Sequence, residues 1–183
     1  MAGCSKNDGV EARIEGDGVV LRLWREGDQA TLREILAVSK DEFGGWLPGV
    51  TADLGDLDVF VTEVAARGEA GVGWNYAVEV DGEAVGQVSI NPLDDGSDEI
   101  GYWIRSDRAG AGITPRAVRA LADAAFASGH TRLIIHCDEG NERSAAVARK
   151  SGFTHTGTVD LDPSLPGTPV QTGREMTWEC VSR

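Results

Sequence analysis

Arg108-Ala109-Gly110-Ala111-Gly112-Ile113-Thr114-Pro115 lies between an apolar run and an amphipathic one. Upstream, Glu99-Ile100-Gly101-Tyr102-Trp103-Ile104 reads as a strand. Downstream, Val118, Leu121, Ala122 and Ala125 recur at the spacing of one buried helix face. Thr114 is the expected N-cap and Pro115 the expected first helical residue. Gly129 is placed to end the helix. Glycine lets a backbone curl tightly and lets a ligand approach its amides. The first turn of a helix leaves amide hydrogens unpaired and carries partial positive charge. Strand, glycine turn and helix start together form a site for a phosphate or pyrophosphate. Arg105, Arg108 and Arg116 surround this turn in an otherwise acidic chain.

Working outward, Tyr76, Val78 and Val80 alternate with Ala77 and Glu79, and Asp81-Gly82 follows. That dipeptide between alternating runs signals a two-residue hairpin. The return strand runs from Glu83 to Ile90, and residues 92–97 turn the chain again. Leu133-Ile134-Ile135 is continuous, as in a strand covered on both faces. Asn141 is placed to cap a helix ending at Gly152, and strands follow near 154–159 and 175–181. Toward the N-terminus, residues 19–24 read as a strand, and 29–39 and 57–67 as helices. Residues 40–56 read as a loop with short helical pieces around Trp46 and Leu47. The expected fold is mixed α/β, with a largely antiparallel first half. The expected organisation is a flexible segment over 1–17 and one domain over 18–183.

The chain has 183 residues and a formal net charge of -13. Such a balance argues against nucleic acid as partner. It suits a cationic or amine-bearing ligand, and it equally serves solubility. Cys4, Cys137 and Cys180 form no CxxC pair, so neither a disulfide framework nor a metal site is expected. A reducing cytoplasm fits this cysteine usage. No stretch approaches the roughly 20 apolar residues of a membrane span.

Two ligands fit the glycine turn. A dinucleotide crossover wants G-x-G-x-x-G directly after its strand. Here Pro115 takes the third glycine's place, and five residues separate Ile104 from Gly110. Asp138 could hold a ribose in that reading. The other candidate is the pyrophosphate of coenzyme A.

The ordered set of motifs resembles the GNAT acetyltransferases. It comprises residues 99–104, the Gly110-Ala111-Gly112-Ile113 loop and Ala117-Val118-Arg119-Ala120-Leu121. Asn141-Glu142-Arg143-Ser144 and Lys150-Ser151-Gly152-Phe153 extend it. Leu21-Arg22-Leu23-Trp24 and Trp46-Leu47-Pro48 are similar to the ribosomal-protein N-acetyltransferase branch, the RimJ/RimL type. The resemblance implies a splayed mixed sheet with helices on both faces, and acetyl-CoA as co-substrate. It implies that Gly110, Ala111, Gly112, Ile113 and Thr114 hold the pyrophosphate through their amides. Trp103, Ile104 and Arg105 would pair with the pantetheine arm, and Asn141 and Ser144 would sit near the thioester. Ala109 stands where the family loop usually begins with Arg or Gln, and Arg108 next to it supplies a charge. Ala148 stands where many relatives carry a tyrosine acid, which leaves Ser144 or Cys137 for that role.

Direct attack on the thioester requires a neutral amine, so a base or a water chain takes a proton. Glu99, at the start of its strand, is the expected base, with Glu175 a second choice. His136 should point to the sheet face opposite Cys137. His130 and His155 are expected at the surface. Trp46 either walls the acceptor site or belongs to the core. Acids at Asp41, Glu42, Asp53, Asp94, Asp95 and Asp98 would suit a cationic acceptor. That acceptor is a protein N-terminus, such as that of a ribosomal protein, or a small amine such as an antibiotic. A non-catalytic acyl-CoA-binding module is the other reading of the same fold. Dimers are common in this branch, so a homodimer is a further expectation.

Overall fold

The computed structural model describes residues 10–46, 57–164 and 167–182. The elements run β1 (Arg13–Gly16), β2 (Val19–Leu23), α1 (Gln29–Trp46), α2 (Leu57–Glu69), β3 (Trp74–Val80), β4 (Glu83–Pro92) and β5 (Asp98–Ile104). They continue with α3 (Ile113–Ala127), β6 (Arg132–Asp138), α4 (Glu142–Lys150), β7 (Thr154–Asp160) and β8 (Arg174–Val181). The strands form one sheet in the order β1-β2-β3-β4-β5-β6-β8-β7. Neighbours are antiparallel except β5 and β6, the pair that the α3 crossover connects. This is the mixed sheet the sequence suggests, and its antiparallel majority excludes the doubly wound dinucleotide fold.

Alternation along the strands fills two cores. Leu21, Val88, Ile100, Leu133 and Ile135 pack with Val118 and Leu121 of α3. On the other face, Trp24, Ala77 and Trp103 pack with Leu32, Ile35 and Phe43 of α1 and Val61 of α2. The Asp81-Gly82 hairpin has both residues at positive φ, 53° and 81°, the conformation a two-residue turn between twisted strands requires. Among the described residues, no helix is long and apolar enough to cross a membrane.

Three expectations change. Residues 13–16 form β1, paired with β2, where a flexible segment was expected. Val10 and Ile14 are buried there, and the Tyr76 hydroxyl donates to the Glu11 carbonyl at 3.1 Å. Two apolar residues are too few for a strand pattern in sequence, but the sheet edge supplies the partner. Helix α1 continues through Gly44 and Gly45 to Trp46. Packing overrides the low propensity of glycine: Phe43 meets the Trp103 ring edge-on at 5.6 Å. His130 is no free surface group, because its Nδ1 bonds Asp98 Oδ2 at 2.7 Å. The segment 1–9 with Cys4, and Leu47, Pro48 and Asp53, lie outside the described residues.

Strand β5 is paired with β4 along its whole length, from Gly86↔Ile104 to Pro92↔Asp98. Strand β6 is likewise paired with β8, from Arg132↔Val181 to Asp138↔Glu175. The two inner strands meet only at Asp98↔Leu133 and Glu99↔Ile134, then diverge. Gly86 lets β4 seat β5: a Cβ there would stand 2.4 Å from the Trp103 carbonyl oxygen. Gly86→Ala should therefore lower stability by about 2 kcal/mol, read as an earlier midpoint in urea unfolding.

Candidate active site

The divergence opens a cavity of about 640 Å³ between β5 and β6. Its walls include Tyr102, Trp103 and Ile104 from β5 and His136, Cys137 and Asp138 from β6. Asn141, Ser144, Val147 and Lys150 recur every three residues and present one stripe of α4 to it. Glu42, Phe43 and Trp46 close it from α1. Trp46 thus both walls the cavity and ends the helix. An ion pair between Glu42 and Arg143 ties α1 to α4.

The glycine turn lies on this cavity through Ala109, Gly110, Gly112, Ile113 and Thr114. Ala111, expected with them, is exposed and not part of the wall. The cap of α3 is Gly112 at φ 72°, not Thr114, and no side chain caps the helix. Among the described residues, nothing accepts from the amides of Gly110, Ala111 or Gly112. A Cβ added at Gly110 or Gly112 would meet nothing within 4 Å. Uncapped amides, a helix N-terminus and open space are what a pyrophosphate needs.

The arginines divide. Arg108 lines the cavity while donating to Glu83 at 2.6 Å. The Arg105 side chain is buried and does not line the cavity, paired with Glu83 at 2.8 Å and Asp107 at 2.7 Å. Arg116 is spent on the carbonyls of Gly112 and Asp17. Arg143, paired with Glu42, and Lys150 are the other basic residues on the wall. Lys150 was legible as the last member of the α4 stripe.

Of the three expected catalytic residues, Ser144 sits on α4 and Cys137 lies on the sheet face that α4 covers. Asn141 Oδ1 accepts from the Ser144 amide at 3.0 Å and caps α4, as its sequence position suggests. The Tyr102 hydroxyl reaches Ser144 Oγ at 2.9 Å and its carbonyl at 3.1 Å. Burial pushes the Tyr102 phenol well above its ordinary range, so it remains a proton-bearing donor at neutral pH. Burial also raises the Cys137 thiol. It is therefore protonated at neutral pH and poorly suited to covalent attack.

The third, Glu99, does not line the cavity. Its Oε1 lies 2.9 Å from Nδ1 of His136, which does line the cavity. His136 is on the face opposite Cys137, as alternation requires, and it lines the wall that Glu99 does not reach. Glu175, paired across from Asp138, is also absent from the wall. Asp94 and Asp95 lie in the β4–β5 turn and Asp98 opens β5; none of the three lines the cavity, and Asp95 accepts from Ser97 and Arg132.

A splayed sheet with an uncapped glycine-turn helix beside the split defines a coenzyme A-dependent acyltransferase. Residues 19–154 match the acetyltransferase (GNAT) domain model, and the chain belongs to that family. It is an acetyl-CoA-dependent N-acetyltransferase. YdaF of Bacillus subtilis (strain 168), named a ribosomal N-acetyltransferase, is 29% identical over 146 residues, 76% of this chain and 79% of its own. The ribosomal-protein-serine acetyltransferase of Escherichia coli (strain K12) is 34% identical over 80 residues, 42% of this chain and 45% of its own. The RimL ribosomal L7/L12 alpha-N-protein acetyltransferase, solved with coenzyme A, shares the fold with a TM-score of 0.82. It is 21% identical, and the match covers 92% of this chain and 97% of that one.

Gly112→Glu sets a carboxylate at the uncapped start of α3, the expected pyrophosphate site. Like-charge contact costs several kcal/mol, so acetyl-CoA affinity should fall about 100-fold in calorimetry, with the far-ultraviolet circular dichroism unchanged.

Proposed function

We propose that the acceptor is the α-amine of a protein N-terminus, a ribosomal protein being the favoured class. The carrying observation is the mouth of the cleft, where Glu42 and Asp138 stand with Trp46. Glu42, paired with Arg143, and Asp138, held by the amides of Gly140 and Thr172, form an acidic rim that an ammonium can join, and the indole offers it a ring face. Among the described residues, the cleft edge of β5 beyond Glu99 has no strand partner, so an extended chain can pair with it. The names of the Bacillus and Escherichia relatives support the same class. A cytoplasmic location accompanies such a substrate.

The amine attacks the thioester carbon while a backbone amide near Ile104 steadies the oxyanion. Ser144 donates to the departing sulfur, held in place by Tyr102. Asn141 fixes the helix turn that carries Ser144. Cys137 remains a thiol beside them. Much of the acceleration comes from positioning the two substrates.

The test is mass spectrometry of short peptides beginning with serine or alanine, incubated with acetyl-CoA, beside spermidine and an aminoglycoside. Acetylation confined to the peptide α-amine supports the proposal. Acetylation of the small amines alone overturns it. Ser144→Ala should lower kcat about 100-fold. Tyr102→Phe, which frees the serine rotamer, should lower it about tenfold. Both are read as coenzyme A release.

A further inference from the structure

The pairing of His136 with Glu99 assigns the two groups different work, and we propose that His136 is the general base while Glu99 orients it. Three observations carry this. His136 lines the cavity and Glu99 does not. Nδ1 of His136 is 2.9 Å from Glu99 Oε1. A carboxylate only accepts, so Nδ1 carries a proton, and in the neutral ring Nε2 is the nitrogen left with its lone pair. Nε2 makes no hydrogen bond to any described residue, and the side chain is 30% exposed.

The register places the ring at the start of the split. Glu99 is the last β5 residue paired with β6, opposite Ile134. His136 is two residues further along β6, on the same face as Ile134. Had pairing continued, Gly101 would oppose it. Gly101 has no side chain, so the ring borders open cavity there. Charged neighbours on this face are Glu99 from β5, Asp138 on the same strand, and Glu175 and Glu179 on β8 flanking Thr177. Glu42 and Arg143 complete the mouth.

The step balances without another reactant. The amine lone pair forms the C–N bond, and the C–S bond breaks with its electron pair on sulfur. The surplus amine proton passes to Nε2 of His136. The thiolate takes the Ser144 proton. His136 returns its proton to the bulk through water, and Ser144 is reprotonated from water. Ser144 and Cys137 lie on the α4 side of the sheet and His136 on the α1 side. The departing sulfur and the incoming amine are thus served from opposite faces.

This assignment rests on the acetyltransferase activity, and the protein-N-terminus reading supplies only the kinetic probe. The first experiment needs no acceptor. Long-range ¹H–¹⁵N NMR of the full chain, with the ring neutral, should show His136 as the Nδ1–H tautomer, shifting toward Nε2–H in Glu99→Ala. An Nε2–H tautomer in the unaltered protein overturns the proposal. With acetyl-CoA and a serine-initiated tetrapeptide, His136→Ala should lose about 100-fold in kcat at unchanged acetyl-CoA KM. Added imidazole should restore about tenfold of that loss. Glu99→Ala should lose about tenfold, and nothing further in the His136→Ala background. Equal loss in that background, or no rescue, overturns the assignment. If the peptide is not acetylated at all, the acceptor class fails, and the tautomer still decides the base.

Discussion

Two strands, each fully paired on its outer side, meet for two residues and then part. Everything functional here depends on that. β5 is committed to β4, and β6 to β8, over their full lengths. Neither can bend toward the other without breaking a ladder, so the inner backbone groups beyond Glu99 and Ile134 face a gap. Unpaired backbone groups in a cleft favour a partner that hydrogen-bonds. An extended substrate supplies one. Tyr102 and Trp103 keep the gap open from opposite faces. Tyr102 reaches to Ser144 of α4. Trp103 stacks on Trp24 at 6.3 Å and meets Phe43 of α1.

Alternation sorts the chemistry between the two faces. Along β6, Cys137 joins the core under α3 and α4, while His136 points to the α1 side. Along β5, Tyr102 goes with Cys137 and Glu99 goes with His136. A single-residue slip in either strand would exchange these sets. The β6–β8 register, seven residues long, therefore protects the arrangement as well as the fold.

Charge is arranged by the same economy. The chain is strongly acidic, yet its best-buried arginines are occupied. Arg22 is held by Asp28 and Glu79, each at 2.6 Å, and Arg105 by Glu83 and Asp107. Such pairs orient loops and strand ends, because a buried charge must be paired. Of the basic residues on the cavity wall, Arg108 is paired with Glu83 and Arg143 with Glu42, while Lys150 makes no ion pair with a described residue.

The local patterns were legible in the chain itself. The Asp81-Gly82 hairpin, the glycine turn before α3, the Asn141 cap and the amphipathic faces all depend on neighbours a few residues apart. Contacts within a turn or a helix are written in adjacent residues, so sequence determined these elements and the ordered motifs of the family. The tie of Arg105 to Glu83 and that of α1 to α4 join residues 22 and 101 apart, and β1, though a local hairpin with β2, is held by Tyr76, 65 residues from Glu11. The pairing of His136 with Glu99 joins residues 37 apart in the chain. Sequence spacing showed which face each of those side chains takes. Only the tertiary structure decided which of them meet, because the parallel register of β5 and β6 is set by packing of the whole sheet and not by either strand alone.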